Sequence, residues 1–375
     1  MKIVVDENVA FAEEAFSKFG EVKLLHGREI TQPVLKDADV LIVRSITKID
    51  KQLLEGTSVS FVGTATIGTD HVDLEYLRKN AIGFADAKGC NADAVAEYVF
   101  TAIFSAAVKK NISLKDKTIG VVGVGNIGSR IVKIAEVYGF KVLINDPPRQ
   151  KKESRSDFVS LEEILTADII TIHTPLTIEG EDKTFHLFDR NKIIRLKDGT
   201  IFINASRGEV VDNTALSDLL DENKFTAILD VWENEPKIDQ QLIKKVLFAT
   251  PHVAGYSLEG KINGTKMMVD KMNKFFNKNV LWQPLLPECK NSEIEVDGDF
   301  SDEKNLLSIF NKIYNIEEDS KSLKTFSGGG ESLGKYFDLL RKEYPLRREF
   351  TNYSIKGNSL TEELTKFLRV LRFKL

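Results

Sequence analysis

At 375 residues the chain is too long for one small core, and its length predicts two or three domains. A net charge of −4 offers no basic field for nucleic acid, and 42% hydrophobic with 29% charged residues is the balance of a soluble globular protein. Two cysteines, Cys90 and Cys289, exclude a disulfide framework or thiolate metal cage, and no His, Cys and Asp set has metal-ligand spacing, so no metal is expected. The longest nearly apolar stretch, Ala94–Val108, is 15 residues with Glu97 inside it, short of a membrane span. The start, MKIVVDENV, lacks a basic-then-apolar signal region, so a cytoplasmic protein without membrane or nucleic-acid partners is expected.

Strand-like and helix-like runs alternate from the N-terminus, which predicts parallel α/β architecture. KIVV (2–5), EVKLL (21–25), DVLIVR (39–44), VSFVGT (59–64) and IGFAD (82–86) read as strands, with helices at 8–19, 50–55 and 73–80. Residues 92–108, small and apolar all round, read as a buried helix. TIGVVG, KVLIND, DIITIH, GTIFINA, TAILDV and VLFATPH then supply six strands of a dinucleotide-binding fold. After a helix near 258–278 the composition changes at Gln283-Pro284. The charged tail reads strand (293–296), helix (303–314), helix (335–343), strand (353–356) and helix (361–371). The expected fold class is two Rossmann-like parallel-sheet domains plus a small C-terminal α+β domain. Residues 1–93 and 255–283 would form a discontinuous substrate-binding domain, 94–254 a dinucleotide-binding Rossmann domain, and 284–375 an accessory dimerisation domain. The two crossings, near 94 and 254, would form a hinge whose closure excludes water.

The chemistry begins at Gly123-x-Gly125-x-x-Gly128, between a strand and a helix. Gly123 permits the turn, Gly125 lets backbone amides approach a pyrophosphate, and Gly128 allows close packing. The helix amides complete a phosphate cradle, with Asn126 and Ile127 within the loop. Asp146, 18 positions after Gly128, can accept from the ribose hydroxyls and repel a 2′-phosphate, which favours NAD over NADP. Arg149, Lys151 and Lys152 just beyond could instead meet such a phosphate. Downstream lie Arg207 in NASRGEVVD, Asp230 and Glu235 in LDVWENEP, and His252 in TPHVAGYS. Oxidising a hydroxyl beside a carboxylate needs a base, a cation and a fixed pose. Histidine suits the base, glutamate can hold its far nitrogen, and arginine can bind a carboxylate bidentately. Each has an ordinary structural explanation alone; together at strand ends they predict a dehydrogenase of 2-hydroxy acids.

By these motifs the chain resembles the D-isomer-specific 2-hydroxyacid dehydrogenases. A narrower resemblance, over essentially the whole chain, rests on VDENVAFAEEAF, VRSITKID, FVGTATIGTDHVD, GCNADAVAEYVF, NDPPR and YPLRREF. It is to a branch that oxidises 4-phospho-D-erythronate at C2 with NAD, in vitamin B6 biosynthesis. The resemblance implies that Arg207 and Glu235 are active-site residues and His252 the proton donor and acceptor. Asp146, Thr174, Ser206, Asp230 and Gly255 would contact NAD, and Ser45, Thr66 and Tyr256 a small phosphorylated hydroxy acid. Tyr256 could instead be a core aromatic. A homodimer is expected, with Leu306, Leu307, Phe310 and Ile313 as one helical stripe facing either the partner or the domain's own sheet. Arg347 and Arg348 could reach a substrate phosphate. His26 and His186 show no acid–base partner. Another phosphorylated acid such as 3-phosphoglycerate, or a non-catalytic NAD-responsive binding protein, stays as an alternative.

Overall fold

The computed structural model describes residues 1–154, 156–296, 302–328, 330–357 and 360–375. The chain divides into two compact units, 1–91 with 257–288 and 92–256 with 289–375. No helix among the described residues is long and apolar enough to cross a membrane.

The first unit carries β1 (Lys2–Asp6), β2 (Glu21–Leu25), β3 (Val40–Val43), β4 (Phe61–Thr64) and β5 (Gly83–Asp86). They form a parallel sheet in the order β2-β1-β3-β4-β5. The central runs VLIV and FVGT are buried throughout, as strands covered on both faces must be. The helix Leu258–Phe276 belongs to this unit and places Met268, Val269 and Met272 in its core.

The second unit carries β6 (Thr118–Val122), β7 (Lys141–Asn145), β8 (Ile169–Ile172), β9 (Ile201–Asn204), β10 (Thr226–Leu229) and β11 (Phe248–Ala249). All pair in parallel in the order β11-β10-β9-β8-β6-β7. The six predicted runs are present, but the dinucleotide-fold order also calls for a strand beyond β7. That strand is reduced to a single bridge between Ile144 and Phe158. The order reverses beside β6, between its neighbours β7 and β8, and a ligand crevice belongs at that switch point.

The helix Ala92–Lys110 explains the tail. Its first fifteen or so positions are almost all buried, an all-round apolar surface that the sheet alone cannot cover. The C-terminal residues cover the remainder: Phe310 meets Phe104 edge-on at 5.4 Å, and Phe367 lies 6.3 Å from Phe100. Leu306, Leu307 and Phe310 are therefore buried within their own unit, with Ile313 packed against the same cluster. This corrects the expectation that the stripe faces a partner, and its cover is this helix rather than the small sheet Glu293–Glu295 with Ser354–Lys356. The helix Ile316–Lys324, missed in the sequence, closes the sheet edge. Ser320 Oγ accepts from the Ala249 amide at 3.0 Å, and Lys324 donates to Leu247 O at 3.1 Å.

Arg347 and Arg348 are buried, which removes them as candidates for an incoming phosphate. Arg347 donates to the carbonyls of Ala94 (2.8 Å) and Ala254 (3.2 Å) and stacks 4.1 Å over the Tyr314 ring. Nearby Asp319 accepts from Tyr344 Oη at 2.7 Å, and burial pushes its carboxyl up to about 6. A folded-state value above the unfolded one means that the contribution of the protonated form is fully present below pH ~4 and is lost as pH rises through 6. Asp319→Asn keeps the acceptor for Tyr344 and removes the buried charge. It is expected to raise unfolding free energy at pH 8 by on the order of 2 kcal/mol, with a smaller gain at pH 4.5. Denaturant titrations showing the same gain at both pH values would contradict this.

Candidate active site

The switch point in the second unit is lined by the glycine loop and by the turn after β8. Gly123 has φ +84, and a Cβ there would meet His173 O at 2.7 Å and the Thr174 amide at 2.9 Å. A Cβ on Gly128 would lie 2.0 Å from Gly123 O, so neither position admits a side chain. Gly125 faces open space, and Thr174 carries a buried hydroxyl with no partner among the described residues. The loop amides, the mouth of the helix Gly128–Tyr138 and that orphan hydroxyl form a cradle of the kind a dinucleotide pyrophosphate fits. Asn126 lies exposed at this mouth beside half-buried Ile127. Arg130 donates to Asn126 O at 2.6 Å and pairs with Asp93 at 2.6 Å.

Asp146 directly follows β7 and caps the next helix. One of its oxygens accepts from the Val124 amide at 2.8 Å, and the other caps the next helix at the Arg149 amide, 3.0 Å. The carboxylate thus shapes the glycine loop. Arg149 is engaged bidentately by Glu153 at 2.7 and 2.9 Å and bonds Val124 O, while Lys151 pairs with Glu181 at 2.9 Å. Two of the three cations that could meet a 2′-phosphate are already matched.

The catalytic candidates converge on three loops at the strand ends. His252 Nδ1 lies 2.7 Å from Glu235 Oε2, and Glu235 Oε1 accepts from the Trp232 amide at 2.9 Å. Burial alone would raise the Glu235 carboxyl. The His252 imidazole, the Arg341 guanidinium and the Trp232 amide outweigh it and hold the carboxyl below its ordinary value. His252 itself sits at φ 56, a left-handed conformation that a non-glycine residue holds only when its surroundings impose it. Asp230 imposes it. Its fully buried carboxylate accepts from Thr250 Oγ1 (2.6 Å) and from the Val253 (2.8 Å) and Ala254 (2.9 Å) amides. Any contact of Asp230 with NAD would come in addition to this structural engagement. Trp232 lies beneath this loop and donates from Nε1 to Thr250 O at 3.0 Å.

Arg207 follows β9, with its carbonyl held by Asn204 at 2.8 Å and its guanidinium on Ser206 O at 2.7 Å. Ser206 is buried, its hydroxyl on Asn204 Oδ1 at 2.8 Å. A Cβ on Gly208 would lie 1.9 Å from the Trp232 carbonyl carbon, so this glycine lets the arginine loop abut the loop that carries Glu235. Gly255 follows the pinned segment and is half-buried.

Other expected residues are placed as follows. Ser45 and Thr66 belong to the first unit; Ser45 is exposed, and Thr66 Oγ1 lies 2.8 Å from Thr64 Oγ1. Tyr256 is half-buried and meets Tyr344 edge-on at 5.8 Å, an aromatic contact of the kind that the alternative to a substrate contact requires. His186 does have an acidic partner, contrary to expectation: its Nε2 lies 2.6 Å from Glu233 Oε1. With Asp212 these groups lie within 4.8 Å of one another, but Asp212 caps the Ala215 amide and Glu233 also accepts from Asn213. They form a loop staple. His173 rests on Thr171 at 2.8 Å, and burial drives its imidazole down to about 3, which keeps it neutral and structural. Arg341 joins the site from a helix without a motif, and no sequence signal marks it.

Known proteins place the chain in a family. Residues 92–254 match the model for the D-isomer specific 2-hydroxyacid dehydrogenase NAD binding domain, and residues 285–370 match a domain of unknown function. The chain is 46% identical over 357 residues to an erythronate-4-phosphate dehydrogenase of Escherichia coli, covering 94% of this chain and 93% of that one. The enzyme so named in Cronobacter sakazakii is 45% identical over 361 residues, 95% and 94% of the two chains. Among solved structures, NAD+-bound 3-phosphoglycerate dehydrogenase of Entamoeba histolytica superposes with a TM-score of 0.64 at 28% identity, over 74% of this chain and 95% of that one. D-lactate dehydrogenase of Aquifex aeolicus, solved with NAD and lactic acid, gives 0.61 at 28%, over 74% and 96%.

Because Asp230 pins the His252 loop, Asp230→Asn leaves a side-chain N–H facing one of the backbone N–H donors of Val253 and Ala254. Turnover is then expected to fall by roughly 10- to 100-fold, the cost of an unsatisfied buried contact, with NAD Kd changed less than about threefold. A large rise in Kd at unchanged turnover would identify Asp230 as a cofactor ligand instead.

Proposed function

Because the chain belongs to the D-isomer specific 2-hydroxyacid dehydrogenase family, we propose that it oxidises 4-phospho-D-erythronate at C2 to (R)-3-hydroxy-2-oxo-4-phosphooxybutanoate with NAD, a step of vitamin B6 biosynthesis. The observation that carries the reading is the 2.7 Å His252–Glu235 pair on loops against which the Arg207 turn is packed. NAD supplies the hydride acceptor when bound. Arg207 takes the substrate carboxylate and polarises the reacting oxygen. His252 removes the C2 hydroxyl proton at Nε2, because Glu235 holds Nδ1 and fixes the tautomer. Glu235, kept ionised, stabilises the imidazolium as it forms. In reduction the same nitrogen returns the proton. Thr174, Asp146 and the loop 123–128 hold the dinucleotide, with Ser206 and Gly255 lining it.

The protein acts in the cytoplasm as a homodimer in this reading. Support comes from exposed Leu339 and Leu346 on the C-terminal segment, apolar surface of the sort a two-fold interface covers. Light scattering is expected to give twice the 42.1 kDa of one chain, and a monomer would exclude the dimer.

The decisive assay follows NADH absorbance with 4-phospho-D-erythronate and with 3-phosphoglycerate. Turnover is expected on the first and little on the second; the reverse preference would overturn the substrate assignment. His252→Asn should lose ~10²–10⁴-fold in turnover at nearly unchanged NAD affinity, and a variant keeping a tenth of wild-type activity would exclude His252 as the base.

A further inference from the structure

We propose that Arg341 binds the terminal phosphate of the substrate, so that the C-terminal segment sets the preference for phosphorylated 2-hydroxy acids. This rests on the function proposed above. Such a substrate has two anionic ends, a carboxylate beside the reacting carbon and a phosphate two carbons away. Arg207 serves the first. A second cation must lie close to the His252–Glu235 pair, and Arg341, beside the Tyr256 ring and within electrostatic reach of Glu235, is the candidate.

Arg341 sits in the last turn of the helix Gly330–Lys342. Its guanidinium carbon lies 5.7 Å from the Tyr256 ring centre and 5.8 Å from that of Phe337. The charged and titratable groups around it are Tyr256, which shares a hydrogen bond with it, Glu235, and Asp338 on its own helix. Burial disfavours its charge, and these neighbours keep it protonated. Its Nε–H has no acceptor among the described residues, so the fork of five donors is not used up within the chain. A planar guanidinium suits phosphate oxygens better than an ammonium does.

The helix also lies outside the matched dehydrogenase domain, which ends at residue 254, and inside the 285–370 segment. A cation delivered from there is an addition to the His–Glu–Arg set, which lies inside the matched domain, and such an addition is where selectivity among hydroxy acids is best placed. Tyr256 then has two tasks, to hold Arg341 and to offer its hydroxyl beside it.

The test uses the full chain with saturating NAD and compares kcat/KM for 4-phospho-D-erythronate with that for D-erythronate. Loss of a hydrogen bond to a charged group predicts that Arg341→Gln lowers the preference for the phosphorylated acid by about 10- to 100-fold, mainly through KM. Arg341→Lys should recover part of it, which also covers a Gln variant that fails to fold. An equal loss on both acids, expressed in kcat, would overturn the proposal and make Arg341 a positioning residue acting through Glu235. A wild-type enzyme inactive on the phosphorylated acid but active on another hydroxy acid would overturn the functional reading, and this inference with it.

Discussion

The buried carboxylate of Asp230 fixes where the chemistry can happen. It gathers the Thr250 hydroxyl and the Val253 and Ala254 amides, and its own carbonyl accepts from the His252 amide at 2.7 Å. A backbone held at both ends in this way can sustain the left-handed φ of His252, which isolated sterics would not favour for that residue. The imidazole is thereby turned toward Glu235, and the proposed base acquires its orientation before any substrate arrives. The network continues outward through Thr250 to Tyr98, 2.8 Å away on the long buried helix. Site and core are one hydrogen-bonded structure.

That arrangement also explains why the C-terminal segment packs where it does. The helix Ala92–Lys110 needs apolar cover on the side its sheet leaves bare, and the tail supplies Phe310 and Phe367. Arg347 then ties Ala94 and Ala254 from the same tail, bracketing the segment that carries His252. Truncating these residues would open the core beneath the catalytic loop, so loss of activity on truncation would not by itself point to assembly.

Much of this was legible in the sequence, and the reason is locality. Strands of unbroken Val and Ile, the glycine loop with Asp146, and the Arg207, Glu235 and His252 motifs each declare themselves within a short stretch of chain. What was not legible depended on tertiary placement. The stripe at Leu306 and Phe310 has helical spacing whatever it faces, and only the fold shows that it faces Ala92–Lys110. The partner of His186 lies 47 positions away at Glu233. Ile316–Lys324 is so rich in charge that its apolar face is only Ile316 and Leu323, although Asn315 caps it and three acids open its first turn. Arg341 follows no motif, and nothing in its neighbourhood along the chain connects it to Glu235.

The central claim is that the hydrogen on C2 of the substrate leaves as hydride to NAD. Turnover of 4-phospho-D-erythronate deuterated at C2, followed by mass analysis of the NADH produced, tests it most directly. The account predicts one deuterium in the nicotinamide ring per turnover and a primary isotope effect on the chemical step. Deuterium released to solvent, with unlabelled NADH, would contradict it.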